Sequence, residues 1–147
     1  MMVATAIGLS LSTVLTGIGL IHVFWALGGV WPGTDECSLA RSVVGTSGVE
    51  HMPPPGLALV VAALLFGAAL VPLTWLDLML GFVPPRLTAV ALLALVLVFA
   101  VRGVAGYTPW FRTSHPEEPF ATLDKRFYSP LCLVLSAGFA TLLLTGV

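Results

Sequence analysis

Four long apolar segments leave few folds open to this chain. They cover about residues 3–30, 54–73, 85–102 and 128–146. Crossing the hydrocarbon core of a bilayer takes roughly 17–25 mostly apolar helical residues. At that segment length, only helices satisfy their own backbone hydrogen bonds in lipid. We therefore predict an all-α, polytopic membrane protein in which residues 1–147 form one domain, a compact four-transmembrane-helix bundle.

Composition agrees with this prediction, because 9% of the residues are charged and 58% are hydrophobic, whereas about a quarter of the residues in soluble domains are charged. The first segment lacks the basic n-region and the A-x-A cleavage pattern of a secretory signal peptide. The net charge of -1 gives no electrostatic support for nucleic-acid binding.

Most polar residues lie in two long loops, residues 31–53 and 103–127, which share one side of a four-span protein. The connection between the second and third segments is a short proline-containing turn. The side of the long loops carries five basic residues, and the other side carries Arg86 alone; the five are Arg41, Arg102, Arg112, Lys125 and Arg126. The positive-inside rule then predicts cytoplasmic long loops and both termini outside.

The stretch "IHVFWALGGVW" near the end of the first segment places His22, Trp25 and Gly29 close to one helical face. Ionisable groups within a span are costly and are often functional. The alternative is that His22 is hydrogen-bonded inside the bundle and that the tryptophans belong to the interfacial aromatic belt.

Arg102 ends the third segment, and Asp124 precedes the fourth on the same side of the membrane. Arg102 either reaches for the lipid phosphates or binds a carboxylate or phosphate in a bidentate manner. Asp124 is its nearest expected protein partner. Asp124 either caps the fourth helix or pairs with Arg102, or it stays protonated beside an apolar wall and donates a proton. Tyr128 is expected to open the fourth helix, followed by Ser129 and Pro130.

Metal and nucleotide motifs are missing from the sequence. The acidic and histidine residues of the first loop occur as adjacent pairs, Asp35 with Glu36 and Glu50 with His51, rather than at metal-ligand spacings. Two cysteines without C-x-x-C spacing give no zinc signature. We predict no cofactor and no metal.

Three blocks of the sequence, "HVFWALGG" followed by Trp31, "RGVAGY" and "FATLDKRFYSPLCLVL", resemble a family of small bacterial four-span membrane proteins classified only as a domain of unknown function. In size and span number the chain is also similar to the bacterial membrane-bound terpene cyclases of xiamycin- and drimentine-type meroterpenoids. This second resemblance implies a bacterial inner-membrane enzyme that cyclises a prenylated, farnesyl-type substrate after protonating it, with no metal ion and no loss of diphosphate.

The cyclase resemblance implies an acid, a base and aromatic side chains that stabilise a carbocation. Asp124 is the favoured acid, with Glu50 or Glu36 as substitutes, and His22 is the favoured base. The catalytic candidates are thus Asp124, His22, Glu50 and Tyr128. The substrate-binding candidates are Phe24, Trp25, Trp31, Glu36 and Arg102.

The alternative prediction is a non-catalytic membrane module that binds a lipid or metabolite, takes part in transport, or serves as an accessory subunit. Transport is disfavoured, because polar residues do not continue strongly toward the outer side. The expected partners are the bilayer and a hydrophobic prenylated molecule or lipid, and a homo-oligomer is a further possibility. An accessory subunit would instead dock a larger partner through its small-residue faces.

Overall fold

The computed structural model describes residues 2–145 and confirms the all-α fold, since this part of the chain contains no strand. In chain order, the helices are α1 Met2–Ala26, α2 Glu36–Val43, α3 Pro55–Trp75, α4 Pro85–Ala105, α5 Pro109–Ser114, α6 Phe120–Leu123 and α7 Ser129–Thr145. A π-helical turn, Asp124–Tyr128, joins α6 to α7, so Phe120–Thr145 is one continuous helix. This helix, α1, α3 and α4 are each long and apolar enough to cross a membrane. The protein is a multi-pass membrane protein.

Three helix ends differ from those expected by about one turn or more. α4 continues one turn past Arg102, to Ala105. The fourth spanning helix begins at Phe120, not at Tyr128, because the buried Phe120 ring and the buried Asp124 tie the polar stretch to the bundle. The first helix ends at Ala26, before Gly28, whose φ of 89° is outside the helical region. The expected end of the last helix, residue 146, lies outside the described residues.

The bundle consists of two extensively packed helix pairs, α1 with α3 and α4 with α7. The pairs meet where α1 contacts α7 and where α3 contacts α4. Leu15, Leu92 and Phe139 are fully buried in the centre. Lipid removes the hydrophobic driving force between spanning helices, so close packing and interhelical hydrogen bonds must hold them together. One such bond runs in each pair, from Ser12 Oγ to the Ala69 carbonyl (2.7 Å) and from Ser136 Oγ to the Val96 carbonyl (2.8 Å).

We call the side formed by residues 27–54 and 106–128 the loop end of the bundle, and the side formed by residues 76–84 the turn end. The loop end is folded. Its helix α2 starts with a capping box, in which the Ser38 backbone N–H donates to Asp35 and lowers the pKa of that carboxyl. Tyr128 Oη donates to the Ser42 carbonyl at 3.1 Å, and the Glu117 N–H donates to the Gly45 carbonyl at 3.2 Å. These bonds hold α2 against the start of the fourth spanning helix.

Candidate functional site

A buried ion cluster occupies the loop end, where α4 meets the start of the fourth spanning helix. Asp124 has no exposed surface. Its Oδ1 accepts a hydrogen bond from Arg102 Nη2 at 2.5 Å, and its Oδ2 accepts one from Ser129 Oγ at 3.0 Å. Arg102 Nη1 also lies 3.4 Å from Ser129 Oγ. Both carboxylate oxygens of Asp124 therefore have donors, which is what a buried charge requires.

The π-helical turn makes this cluster possible. Five residues of an α-helix advance about 500°, so Asp124 and Ser129 would point in different directions. In the π-helical turn the Ser129 N–H donates to the Asp124 carbonyl instead, which stacks the two residues on one face. Pro130 follows directly and has no N–H with which to continue regular helical bonding. The local sequence thus favours the widened turn at the place where the cluster needs it.

Gly106 lets α4 approach the cluster closely. It lies one turn after Arg102 on the same face of α4, and a Cβ atom there would overlap Ser129 Oγ and come within 2.5 Å of Asp124 Oδ2. One turn of α4 therefore supplies both the arginine and the space for its partner. The segments "RGVAGY" and "LDKRFYS" are thus in direct contact at the ion cluster.

A second arginine reaches the same carboxylate from α5. Arg112 Nη1 lies 3.8 Å from Asp124 Oδ2 and donates to the Ala121 carbonyl at 2.9 Å. α5 starts at Pro109 after the Thr108 cap, whose hydroxyl accepts from the Phe111 N–H. The Phe111 ring packs 4.8 Å from the Arg102 guanidinium carbon. α5 consequently folds back over the ion cluster.

An open cleft of about 710 Å³ lies beside the cluster. We call it the basic cleft; it is lined by Arg112, Pro116, Glu118, Ala121, Thr122, Lys125 and Arg126. The Glu118 carboxylate is turned toward Thr122, whose N–H and hydroxyl both donate to it. Within residues 2–145, Lys125 and Arg126 have no carboxylate within 4 Å. The cleft is therefore a concave surface with an excess of positive charge.

The structure brings some of the predicted site residues together and separates others. Arg102, Asp124 and Tyr128 lie together at the ion cluster and the adjoining turn. His22 forms a different group: its Nδ1–H donates to the Ile18 carbonyl at 2.8 Å, and its ring lies 4.9 Å from that of Trp25. Trp25 Nε1 in turn donates to the Trp31 carbonyl at 2.7 Å. No contact within residues 2–145 joins His22 to Asp124.

The remaining candidates lie elsewhere at the loop end. The Phe24 ring covers Gly29 and is half exposed. Glu36 accepts from the Met52 N–H at 3.0 Å and lies 3.7 Å from His51, so it holds the first loop together. Glu50 is exposed. Neither glutamate contacts Asp124 in the part of the chain that the structure describes, and the nine predicted residues do not form one site.

Sequence reasoning missed three contributors to the ion cluster: Arg112, Ser129 and Phe111. Arg112 and Phe111 reach it only because α5 folds back, and Thr108 followed by Pro109 was the available signal for that short helix. Ser129 reaches it only through the π-helical turn. Over residues 2–145, no three His, Cys, Asp or Glu side chains cluster closely enough to hold a metal ion.

Comparison with known proteins identifies a family but no described relative. Searches of the curated proteins and of the solved structures each give no match. The model of one family, described as "Protein of unknown function (DUF3995)", matches residues 15–139. That range contains the ion cluster, the basic cleft and the His22 group. The chain therefore belongs to the DUF3995 family of proteins of unknown function.

Proposed function

We propose that the protein is a membrane-embedded binding module that holds an anionic ligand in the basic cleft at the loop end of its bundle. The observation that carries this proposal is the set of three cationic side chains, Arg112, Lys125 and Arg126, around one open cleft. Basic pockets at the cytoplasmic ends of spanning helices are a recurring way to bind lipid headgroups.

The distribution of charge supports a cytoplasmic loop end. All lysines and arginines except Arg86 lie toward that end of the bundle, and the positive-inside rule places such an end in the cytoplasm. The inner leaflet is also where anionic lipids give the membrane surface its negative potential. Under this topology, the basic cleft faces the leaflet that is richest in suitable ligands.

The ion cluster gives the cleft a fixed wall. Arg102 Nη2 lies 2.5 Å from Asp124 Oδ1 and balances the charge of the carboxylate. This ion pair holds α4 to the helix that carries Lys125 and Arg126. Asp124 is the acceptor in both of its side-chain hydrogen bonds, from Arg102 and Ser129. A carboxylate in this setting positions arginines, and this geometry gives less support to the proton-donating Asp124 that the cyclase hypothesis requires. The separation of His22 from Asp124 also weakens support for a shared acid–base site.

Native mass spectrometry of detergent-purified protein tests the binding proposal. The protein is titrated with phosphatidylglycerol or with zwitterionic phosphatidylcholine. We expect selective retention of phosphatidylglycerol, and the double variant Lys125→Gln/Arg126→Gln should bind it roughly 30-fold more weakly, since each basic residue near the surface contributes about 1 kcal/mol.

A matched control removes the same amount of charge outside the cleft. Arg41→Gln/Arg86→Gln should leave binding within about twofold of the parent, because neither arginine lines the basic cleft. Equal retention of both lipids, or an equal loss in the control, would overturn the proposal. Incubation with farnesylated indole tests the cyclase alternative: an isobaric product that disappears in Asp124→Asn would favour the enzyme.

A further inference from the structure

The basic cleft has a definite charge surplus. Three of its lining residues are cations, Arg112, Lys125 and Arg126, and one is an anion, Glu118, which leaves a net charge of +2. Asp124 does not reduce this surplus, because Arg102 balances its charge at the shorter distance of 2.5 Å. A ligand that neutralises the cleft must therefore carry close to two negative charges.

One edge of the Arg112 guanidinium, formed by Nε and Nη2, makes no hydrogen bond within residues 2–145. Both of its polar contacts within residues 2–145, to the Ala121 carbonyl and to Asp124, use Nη1. Its Nη2 and Nε make none there. The backbone bond at 2.9 Å orients the guanidinium, while the carboxylate at 3.8 Å lies beyond hydrogen-bonding distance. Two free donors on one planar guanidinium suit two oxygens of a phosphate.

Exposed aromatic rings next to the cleft indicate where it lies relative to the bilayer. Trp110, two residues before Arg112 in α5, is 74% exposed, and Phe127, beside Arg126, is 56% exposed. Tryptophan in membrane proteins concentrates at the level of the lipid headgroups. The spanning helix continues from the cleft with exposed apolar residues, Leu131 and Val134. This arrangement is what we expect of a cleft at the depth of lipid phosphates, with an apolar surface running from it along the spanning helix.

We infer that the basic cleft binds the terminal phosphomonoester of a membrane lipid, with Arg112 as the residue that selects it. This inference rests on the proposed function and deepens it. A phosphomonoester carries about −1.5 to −2 charges at neutral pH and three acceptor oxygens. It matches the +2 surplus of the cleft, and after Arg112 has bound two oxygens the third is left for Lys125 and Arg126. A phosphodiester headgroup brings a single negative charge and fills half of the surplus.

The test compares phosphatidic acid with phosphatidylglycerol. The full chain is placed in phosphatidylcholine nanodiscs that contain either phosphatidic acid or twice that mole fraction of phosphatidylglycerol, so that the surface charge is similar. The lipid that stays bound on transfer to detergent is quantified by native mass spectrometry. We expect at least a tenfold preference for phosphatidic acid. Arg112→Lys, which keeps the charge and removes the planar pair of donors, should reduce that preference to about twofold, while the control Arg41→Lys should keep it.

The possible outcomes separate this inference from the proposed function. If both lipids bind equally but Lys125→Gln/Arg126→Gln releases them, the protein binds anionic lipid and the phosphomonoester inference is wrong. If neither lipid is retained, both proposals fail. A third arm adds inorganic phosphate at millimolar concentration: we expect no displacement of phosphatidic acid, and full displacement would overturn the lipid as the source of the phosphate. The comparison in the parent protein needs no variant, so a misfolded Arg112→Lys would not prevent a decision.

Discussion

The two helix pairs of the bundle are held together by different means. The α1–α3 pair depends on close contact between small and large residues, such as Gly19 beneath the Phe66 ring, and on the Ser12 hydrogen bond. The α4–α7 pair has the equivalent Ser136 hydrogen bond. In addition, the partly exposed Arg102 of α4 pairs with the buried Asp124 in the π-helical turn that leads into α7. Charge is therefore concentrated in one pair and at one end of it.

This difference bears on what the ion pair contributes to the bundle. Burying an ion pair costs desolvation free energy that its mutual attraction does not always return, so it is weak evidence for stability as such. The α1–α3 pair demonstrates that spanning helices of this chain pack without such a device. A role for the ion cluster in fixing the wall of the basic cleft, as the proposed function requires, is consistent with this difference.

The largest effect should come from removing the carboxylate. Asp124→Ala leaves Arg102 without its carboxylate partner. Because the Arg102 side chain is 35% exposed, water replaces part of that interaction, and we expect a loss of about 2–3 kcal/mol of unfolding free energy, less than breaking a fully buried pair costs. Reversible unfolding of the purified protein in mixed micelles measures it. Combining Asp124→Leu with Arg102→Met should recover more than half of the loss, since the remaining arginine, Arg112, is partly exposed and keeps its hydrogen bond to the Ala121 carbonyl. A loss of unfolding free energy under 1 kcal/mol for Asp124→Ala would show that this ion pair is not the main interaction that holds α4 to α7.

The next effect concerns the close approach at Gly106. Gly106→Ala places a methyl group onto Ser129 Oγ, and we expect a loss of about 1–3 kcal/mol in the same unfolding assay, as for other overpacked sites. Gly17→Ala is the matched control, because its Cβ meets nothing within 4 Å, and it should be neutral or slightly stabilising. If the two variants change the unfolding free energy equally, the close approach of Gly106 to Ser129 does not limit the stability of the protein.

The fold followed from the sequence because membrane insertion depends on the length and polarity of segments, which can be read residue by residue. The pairing of Arg102 with Asp124 could also be anticipated, as both lie on the same side of the membrane. The other two partners of Asp124 could not be anticipated from the sequence. Ser129 joins Asp124 only through a change in helical pitch, and Arg112 arrives on a short helix whose direction depends on tertiary contacts. For His22, the sequence suggested a functional group because it is an ionisable residue inside a span. The structure shows its ring hydrogen-bonded to the backbone of its own helix.

The smallest effect tests whether the two pairs are otherwise equivalent. Ser12→Ala and Ser136→Ala each remove one interhelical hydrogen bond to a carbonyl, at 2.7 and 2.8 Å. Such bonds within membranes contribute about 0.6 kcal/mol on average, because the unfolded chain in the membrane also finds partners. We expect similar losses of about that size from both variants in the unfolding assay, with Thr13→Ala, whose hydroxyl bonds within α1, as the control. Equal losses would assign the difference between the pairs to Arg102 and Asp124. A loss above 2 kcal/mol for Ser136→Ala alone would instead mean that α4 and α7 depend on hydrogen bonding along their whole length, and the ion cluster would no longer be the distinguishing feature of that pair.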